Sequence, residues 1–237
     1  MDVNFRIFRF DPQVDKEPGY RNYTVSAEPW DRILDCLNKI RWEQDGTLGY
    51  RMSCAHGVCG SDGMRINGKC ALACQKLVKD YPGGEIVVEP LPHFKVLKDL
   101  IVDVDGFLST IKVLHPHLVD PESPPEQERL QSPDDRRKID DVIRCILCAC
   151  CTASCPVLAE NPKYIGPAAL VWAYRFIHDS RDGRYTERLK QINDHDGVWP
   201  CVNYFECTRV CPKGIPVTKS INQLKREIQK AFPERSE

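Results

Sequence analysis

Residues 145–156 read C-I-L-C-A-C-C-T-A-S-C-P, and their spacing decides how the rest of the chain is read. Cys145, Cys148, Cys151 and Cys155 fit C-x2-C-x2-C-x3-C-P, the bacterial pattern for cubane iron–sulfur clusters. Two x2 steps let one loop bring three thiolates to three corners of a cube, while the cysteine before the proline ligates a second cluster. A partner run is therefore required, and residues 201–212, C-V-N-Y-F-E-C-T-R-V-C-P, supply it. Cys201, Cys207 and Cys211 hold its first, third and fourth places, and Tyr204 holds the second. Exchanging the fourth cysteines gives one cluster Cys145, Cys148, Cys151 and Cys211, a full [4Fe–4S] set. The other receives Cys155, Cys201 and Cys207. A corner without a thiolate tends to lose its iron, so a [3Fe–4S] cluster is expected there. Paired zinc sites are the competing reading, because C-x2-C also suits zinc. Zinc, however, needs neither the third cysteine at the next x2 step nor the trailing Cys-Pro.

Working outward, the bulk numbers agree with metal work. Thirteen cysteines in a chain of 237 residues with no secretory signal argue for metal ligation rather than disulfides. A net charge of −1, with 28% charged residues, gives no general affinity for nucleic acid. No apolar run reaches the roughly 18 residues of a membrane span; the longest candidate, 168–177, is interrupted by Arg175. The first residues enter an apparent strand at once, so no targeting peptide is expected.

A third cysteine cluster lies upstream, at residues 53–74: S-C-A-H-G-V-C-G-S-D-G-M-R-I-N-G-K-C-A-L-A-C. The plant-type [2Fe–2S] pattern is C-x4-C-x2-C…C. Cys54 and Cys59 fit the x4 step, the x2 step lands on Asp62, and Cys74 closes the set. Gly57, Gly60 and Gly63 let the backbone wrap closely enough for amides to reach the sulfurs. Asn67-Gly68 predicts a tight hairpin that returns Cys74 toward the cluster. Either Asp62 is a carboxylate ligand at the position the spacing names, or it is a loop aspartate and Cys70 is the fourth ligand. His56 has no second histidine to make a Rieske-type pair and reads as a loop residue.

Around these motifs the pattern is β first, then α. Residues 3–10 and 21–27 read as strands joined by a Pro/Gly turn, and 85–89 as a closing strand. Trp30, Ile33, Leu34, Leu37 and Ile40 recur at helical spacing, predicting a helix packed on the sheet, with Cys36 off that stripe as an ordinary thiol. Pro116, Pro121, Pro124, Pro125 and Pro133 mark a linker. Pro167 suits a helix start, with Leu170, Val171, Tyr174 and Ile177 as its apolar stripe. A polar helix over 185–192 and a last one carrying Val217, Ile221, Leu224 and Ile228 complete the chain. The expected divisions are 1–108, a linker 109–139, and 140–237.

The order of a plant-type loop, then two bacterial-type runs with one tyrosine substitution, resembles the iron–sulfur subunits of succinate dehydrogenase and fumarate reductase. S-C-A-H-G-V-C-G-S-D-G, C-I-L-C-A-C-C-T-A-S-C-P, N-P-K-Y-I-G-P-A-A and C-T-R-V-C-P-K-G-I-P are similar to that family's motifs. The resemblance implies an α+β chain: an N-terminal β-grasp ferredoxin domain followed by an α-helical ferredoxin domain. It implies an FAD-bearing flavoprotein subunit, one or two membrane-anchor subunits, and a peripheral place on the cytoplasmic face of a bacterial inner membrane. It implies the electron order flavin, [2Fe–2S], [4Fe–4S], [3Fe–4S], quinone. An aspartate at the place of Asp62 is familiar from bacterial members. Pro156 and Lys225 stand where relatives contact quinone, although Lys225 also reads as a solvated lysine on the last helix. The tryptophans and histidine of many ubiquinone users are replaced by Ala159-Glu160-Asn161 and Val202, which leans toward menaquinone.

No catalytic triad, phosphate loop or acid–base pair is present, so cofactors carry the chemistry. Three functions compete: an electron-transfer subunit of a dehydrogenase or of the reverse-running reductase, a free ferredoxin-like carrier, and a subunit of another flavoenzyme. A free carrier needs strong charge for steering, which −1 does not give. Other flavoenzyme subunits with two cubane runs lack the plant-type loop.

Overall fold

The computed structural model describes residues 1–119 and 126–233. Pro121, Pro124 and Pro125 lie outside the described residues. In chain order the strands are β1 (Asp2–Arg9), β2 (Gly19–Ser26), β3 (Gly63–Ile66), β4 (Lys69–Leu72), β5 (Glu85–Glu89), β6 (Val96–Lys98) and β7 (Ile101–Val102). The helices are α1 (Ile33–Lys39), α2 (Asp105–Val113), α3 (Pro133–Ile139), α4 (Cys150–Ala153), α5 (Pro156–Glu160), α6 (Gly166–Ile177), α7 (Tyr185–Ile192), α8 (Glu206–Arg209) and α9 (Val217–Ala231). Two compact units divide them. The first is Met1–Val104 together with Ile146–Ser154; the second is Asp105–Cys145 together with Cys155–Glu237. The stretch 109–139, read from sequence as a linker, thus holds the end of α2 and all of α3.

In the first unit, Val3, Phe5 and Ile7 alternate with Asp2, Asn4 and Arg6 along β1, the period of a strand with one buried face. β1 pairs antiparallel with β2 and parallel with β5, giving the mixed five-stranded order β2-β1-β5-β3-β4. Together with α1 this is the expected β-grasp arrangement; β5 lies in mid-sheet rather than at its edge. Asn67 (φ 44°) and Gly68 (φ 79°) make the two-residue turn between β3 and β4, with Ile66 opposite Lys69. Ile33, Leu34, Leu37 and Ile40 are fully buried, each burial contributing about 1.5–3 kcal/mol.

Two readings of this helix are corrected. Trp30 is 67% exposed, with Lys79 over its ring, because the chain before Ile33 is not yet helical: Arg32 is extended at φ −79°, ψ 152°. Cys36 lies not off the buried face but wholly within it, and burial pushes its thiol up to about 11. The helix ends in a π-helical turn over Ile40–Gln44.

A buried charge cluster, built from residues far apart in sequence, fixes the approach to the cysteine loop. Arg9 donates to Asp99 Oδ1 (3.0 Å), Asp45 Oδ2 (2.5 Å), Tyr23 Oη (2.6 Å) and Thr47 Oγ1 (2.8 Å). Asp99, 1% exposed, also accepts the backbone N–H of Gly49 at 2.8 Å. With every polar partner supplied, these charges pin residues 45–49 to the end of β1.

The second unit is built on α6 and α9, with α7 packed against both. α6 opens with Pro167 in its first turn, and Leu170, Val171, Tyr174 and Ile177 are all buried as predicted. Val217, Ile221, Leu224 and Ile228 form the buried face of α9, so this stripe is core. Arg188 of α7, 4% exposed, gathers the chain that follows α2. It donates to the carbonyls of Leu114 (2.9 Å), His115 (3.0 Å) and His117 (2.8 Å), and twice to Asp182 (2.7 and 2.9 Å). No helix among the described residues is long and apolar enough to cross a membrane.

Candidate iron–sulfur sites

The loop of residues 54–62 folds around a sulfur. The backbone N–H groups of His56, Val58 and Cys59 donate to Cys54 Sγ at 3.5, 3.4 and 3.2 Å. These donors hold the Cys54 thiol down to about 6, which favours the thiolate that metal ligation requires. His56 turns its ring Nδ1 back to the Cys54 carbonyl, 2.5 Å away, consistent with a loop residue.

Asp62, 2% exposed, accepts the Cys74 N–H on Oδ2 at 2.6 Å, while Oδ1 is buried with no hydrogen-bond partner among the described residues. Burial and the neighbouring Asp62 carboxylate push the Cys74 thiol up to about 12. A buried carboxylate oxygen without a donor, set beside a thiol and within the field of Cys54, is an arrangement a bound iron would satisfy. The donor set of Cys54, Cys59, Asp62 and Cys74 therefore fits a [2Fe–2S] group. Cys70 is placed differently: it is buried in β4 opposite Arg65, and its thiol is partnered by Ser154.

The segment 146–154 comes against this loop within the first unit. A Cβ on Gly60 (φ 72°) would sit 2.8 Å from the Ile146 carbonyl and 3.0 Å from Cys148 Cβ, and one on Gly63 would sit 2.8 Å from the Cys148 carbonyl. Only glycine permits that approach. Cys148 and Cys151 thus belong to the first unit, and Cys145 and Cys211 to the second. The Cys150 thiol and backbone N–H hold Cys148 below its ordinary pKa against the opposing effect of burial. Cys211 Sγ accepts the Ile215 N–H at 3.4 Å.

Cys150 has no exposure and lies under Gly63, with its sulfur 3.6 Å from where a Cβ there would be. Cys150→Ala is expected to leave iron content and the [4Fe–4S] signal intact; loss of that signal on iron analysis and EPR would overturn its exclusion from the ligands.

In the second unit Cys155, Cys201 and Cys207 lie close enough for their charges to act on one another. Burial raises the Cys155 thiol, and the charges of Cys207 and Cys201 raise it further; burial and Cys201 do the same to Cys207. The two cysteine runs share one backbone path. Leu147 (φ 55°) and Ala149 (φ 63°) flank Cys148, and Asn203 (φ 65°) and Phe205 (φ 64°) flank Tyr204, each pair leading into a four-residue helix. Left-handed non-glycine residues cost about 1–3 kcal/mol each and persist where the surroundings over-determine them, commonly at functional sites. Tyr204 therefore occupies the backbone slot that Cys148 fills in the first run, and it is 50% exposed.

Pro156 opens α5 directly after Cys155. Lys225 is not a solvated lysine: its Nζ donates to the carbonyls of Cys201 (2.6 Å) and Trp199 (3.4 Å), and burial lowers its pKa. Sequence reading missed this anchoring role, for which no motif gives a signal. No disulfide forms among the described residues, and no three His, Cys, Asp or Glu side chains among them converge as a site for a single metal ion. A cluster sets its ligands wider apart, around a core of irons and sulfides.

Together these features define a multi-cluster iron–sulfur electron-transfer protein. Residues 4–109 match the family described as 2Fe-2S iron-sulfur cluster binding domain, and residues 141–215 the 4Fe-4S dicluster domain. The chain is 46% identical over 229 residues to the succinate dehydrogenase iron-sulfur subunit of Coxiella burnetii, covering 95% of this chain and 97% of that one. The chain belongs to the family of succinate dehydrogenase iron–sulfur subunits, parts of an oxidoreductase. Its fold matches a chain of the Mycobacterium smegmatis Sdh1 complex in the apo form with a TM-score of 0.89 at 23% identity, over 100% of this chain and 99% of that one. A hypothetical protein from Helicobacter pylori matches with a TM-score of 0.63 at 17% identity, over 99% of this chain and 41% of that one.

Proposed function

We propose that this chain carries electrons from a flavoprotein subunit that oxidises succinate to a quinone at the membrane, held there by anchor subunits on the cytoplasmic face. The observation that carries the reading is Tyr204 in the backbone slot of a cubane ligand, in the same unit as three cysteines whose charges act on one another. Three cysteines with one open corner suit a [3Fe–4S] cluster, the terminal member of the relay. By spacing, Cys145, Cys148, Cys151 and Cys211 hold the [4Fe–4S] cluster; Cys54, Cys59, Asp62 and Cys74 hold the [2Fe–2S] cluster. When bound, these clusters supply one-electron steps whose potentials follow from ligand identity, hydrogen bonds and burial.

The protein's part is positioning. Three backbone amides support the Cys54 thiolate, and Lys225 fastens the carbonyl of Cys201. Pro156 and Lys225 are proposed as the quinone-side residues. The direction, succinate oxidation rather than fumarate reduction, is supported by the name of the relative 46% identical over nearly the whole chain.

Cys155→Ala tests the assignment. In the assembled complex, succinate oxidation coupled to a soluble dye that accepts from the flavin is expected to persist. Quinone reduction is expected to fall at least tenfold. Persistence of both activities at the wild-type level sinks the proposed electron order.

A further inference from the structure

Cys207 is 8% exposed; the hydroxyl of Thr218, itself 2% exposed, lies with Oγ1 3.4 Å from Cys207 Sγ, and the hydroxyl and backbone N–H of Thr208 also reach that sulfur. Thr218 sits in the first turn of α9, where backbone N–H groups have no partner within the helix. Its N–H donates to Thr208 Oγ1 at 3.0 Å, and the two hydroxyl oxygens are themselves 3.0 Å apart. The protons can then be placed. Thr208 Oγ1 already accepts the N–H, and its own O–H has the Thr218 oxygen in reach. With that oxygen accepting, the Thr218 O–H is left to point at sulfur.

We propose that Thr218 is a positioning residue that raises the reduction potential of the cluster held by Cys207, by donating its hydroxyl to that thiolate, and that Thr208 sets the hydroxyl's direction. This rests on the reading of Cys155, Cys201 and Cys207 as the [3Fe–4S] ligands. Reduction adds one negative charge to the cluster and its thiolates. A donor at sulfur stabilises the reduced state more than the oxidised one, and hydrogen bonds to sulfur are among the features that set cluster potentials. Lys225 acts at the other end of the same ligand set, on the Cys201 carbonyl rather than on a sulfur.

The test is an EPR-monitored redox titration of the membrane-bound complex. Thr218→Val keeps the β-branched shape and removes the donor. It is expected to keep the oxidised [3Fe–4S] signal and its iron, while making electron arrival there roughly tenfold less favourable, about 59 mV for a one-electron couple. Thr218→Ser should restore the wild-type potential, Thr208→Val should give a smaller fall, and the other two clusters should not move. An unchanged potential in Thr218→Val, or an equal shift of all three clusters, overturns the proposal. If the Thr218→Val complex does not assemble, Thr208→Val decides alone, and no shift there overturns it. Cys207→Ser separates the underlying reading: a [3Fe–4S] signal unaltered by that change removes Cys207 from the ligands, and the proposal with it.

Discussion

Tyr204→Cys is expected to convert the terminal cluster from three irons to four and to slow quinone reduction about tenfold or more. The backbone is already set for it. Asn203 and Phe205 hold the same left-handed angles as Leu147 and Ala149, so a cysteine at 204 inherits the conformation of Cys148. Tyr204 is half exposed, so its removal empties no core. The added thiolate brings more negative charge next to the irons, which makes a further electron harder to add. Each ~59 mV of fall makes one-electron transfer to this cluster tenfold less favourable. EPR should show loss of the oxidised [3Fe–4S] signal, with one more iron per chain by analysis. An unchanged [3Fe–4S] signal in a fully loaded variant means Tyr204 does not face the open corner, and the set Cys155, Cys201 and Cys207 must then be redrawn.

The second large effect is on stability. Arg188→Ala removes the charged partner of Asp182, whose side chain has no exposure, and takes a donor from the carbonyls of Leu114, His115 and His117. Breaking a buried pair from one side costs about 3–5 kcal/mol, roughly 10 °C in melting temperature for a chain of this size. The pH dependence follows from Asp182. Burial raises its pKa, but the Arg188 bonds and the N–H groups of Arg184 and Val119 outweigh that, so in the folded wild type it lies below the ordinary value. The wild-type stabilisation is thus present above about pH 4 and is lost as pH falls through the lowered folded value. In the variant the Arg184 and Val119 N–H groups remain, but the Arg188 bonds and charge that favour the ionised carboxylate are gone, so the buried Asp182 is less stabilised when ionised and acid costs the variant less. The melting-temperature gap between the two proteins should be widest near neutral pH and narrow toward pH 4. A gap that is small at pH 7, or constant with pH, contradicts the role given to Arg188.

Local chemistry was legible in the sequence wherever one short stretch carries its own instruction. Asn67-Gly68 demands a two-residue turn, Pro167 opens α6, and the stripes of α6 and α9 are the buried ones. The spacing of the cysteine runs agrees with the iron–sulfur families that residues 4–109 and 141–215 match. What spans the chain was not legible. Arg9 meets Asp99 across 90 positions and Arg188 meets Leu114 across 74, and nothing local marks either arginine as buried. Trp30 misled because helical spacing continues one step past the helix start, where Arg32 is still extended. Lys225 looks like any lysine on an amphipathic helix until the Cys201 carbonyl is found under its amine.

The placement of Ile146–Ser154 within the first unit bears on the order of events on the ribosome. The N-terminal unit is interrupted in sequence: after Val104 the chain leaves it, and the piece that fits against Gly60 and Gly63 is not made until Ser154 has been added. At about 5–20 residues per second, that delay is several seconds. During it the glycine surface of the 54–63 loop stands open, without the segment that later fits against Gly60 and Gly63. Cutting the gene between the two units would yield an N-terminal fragment missing part of its own packing.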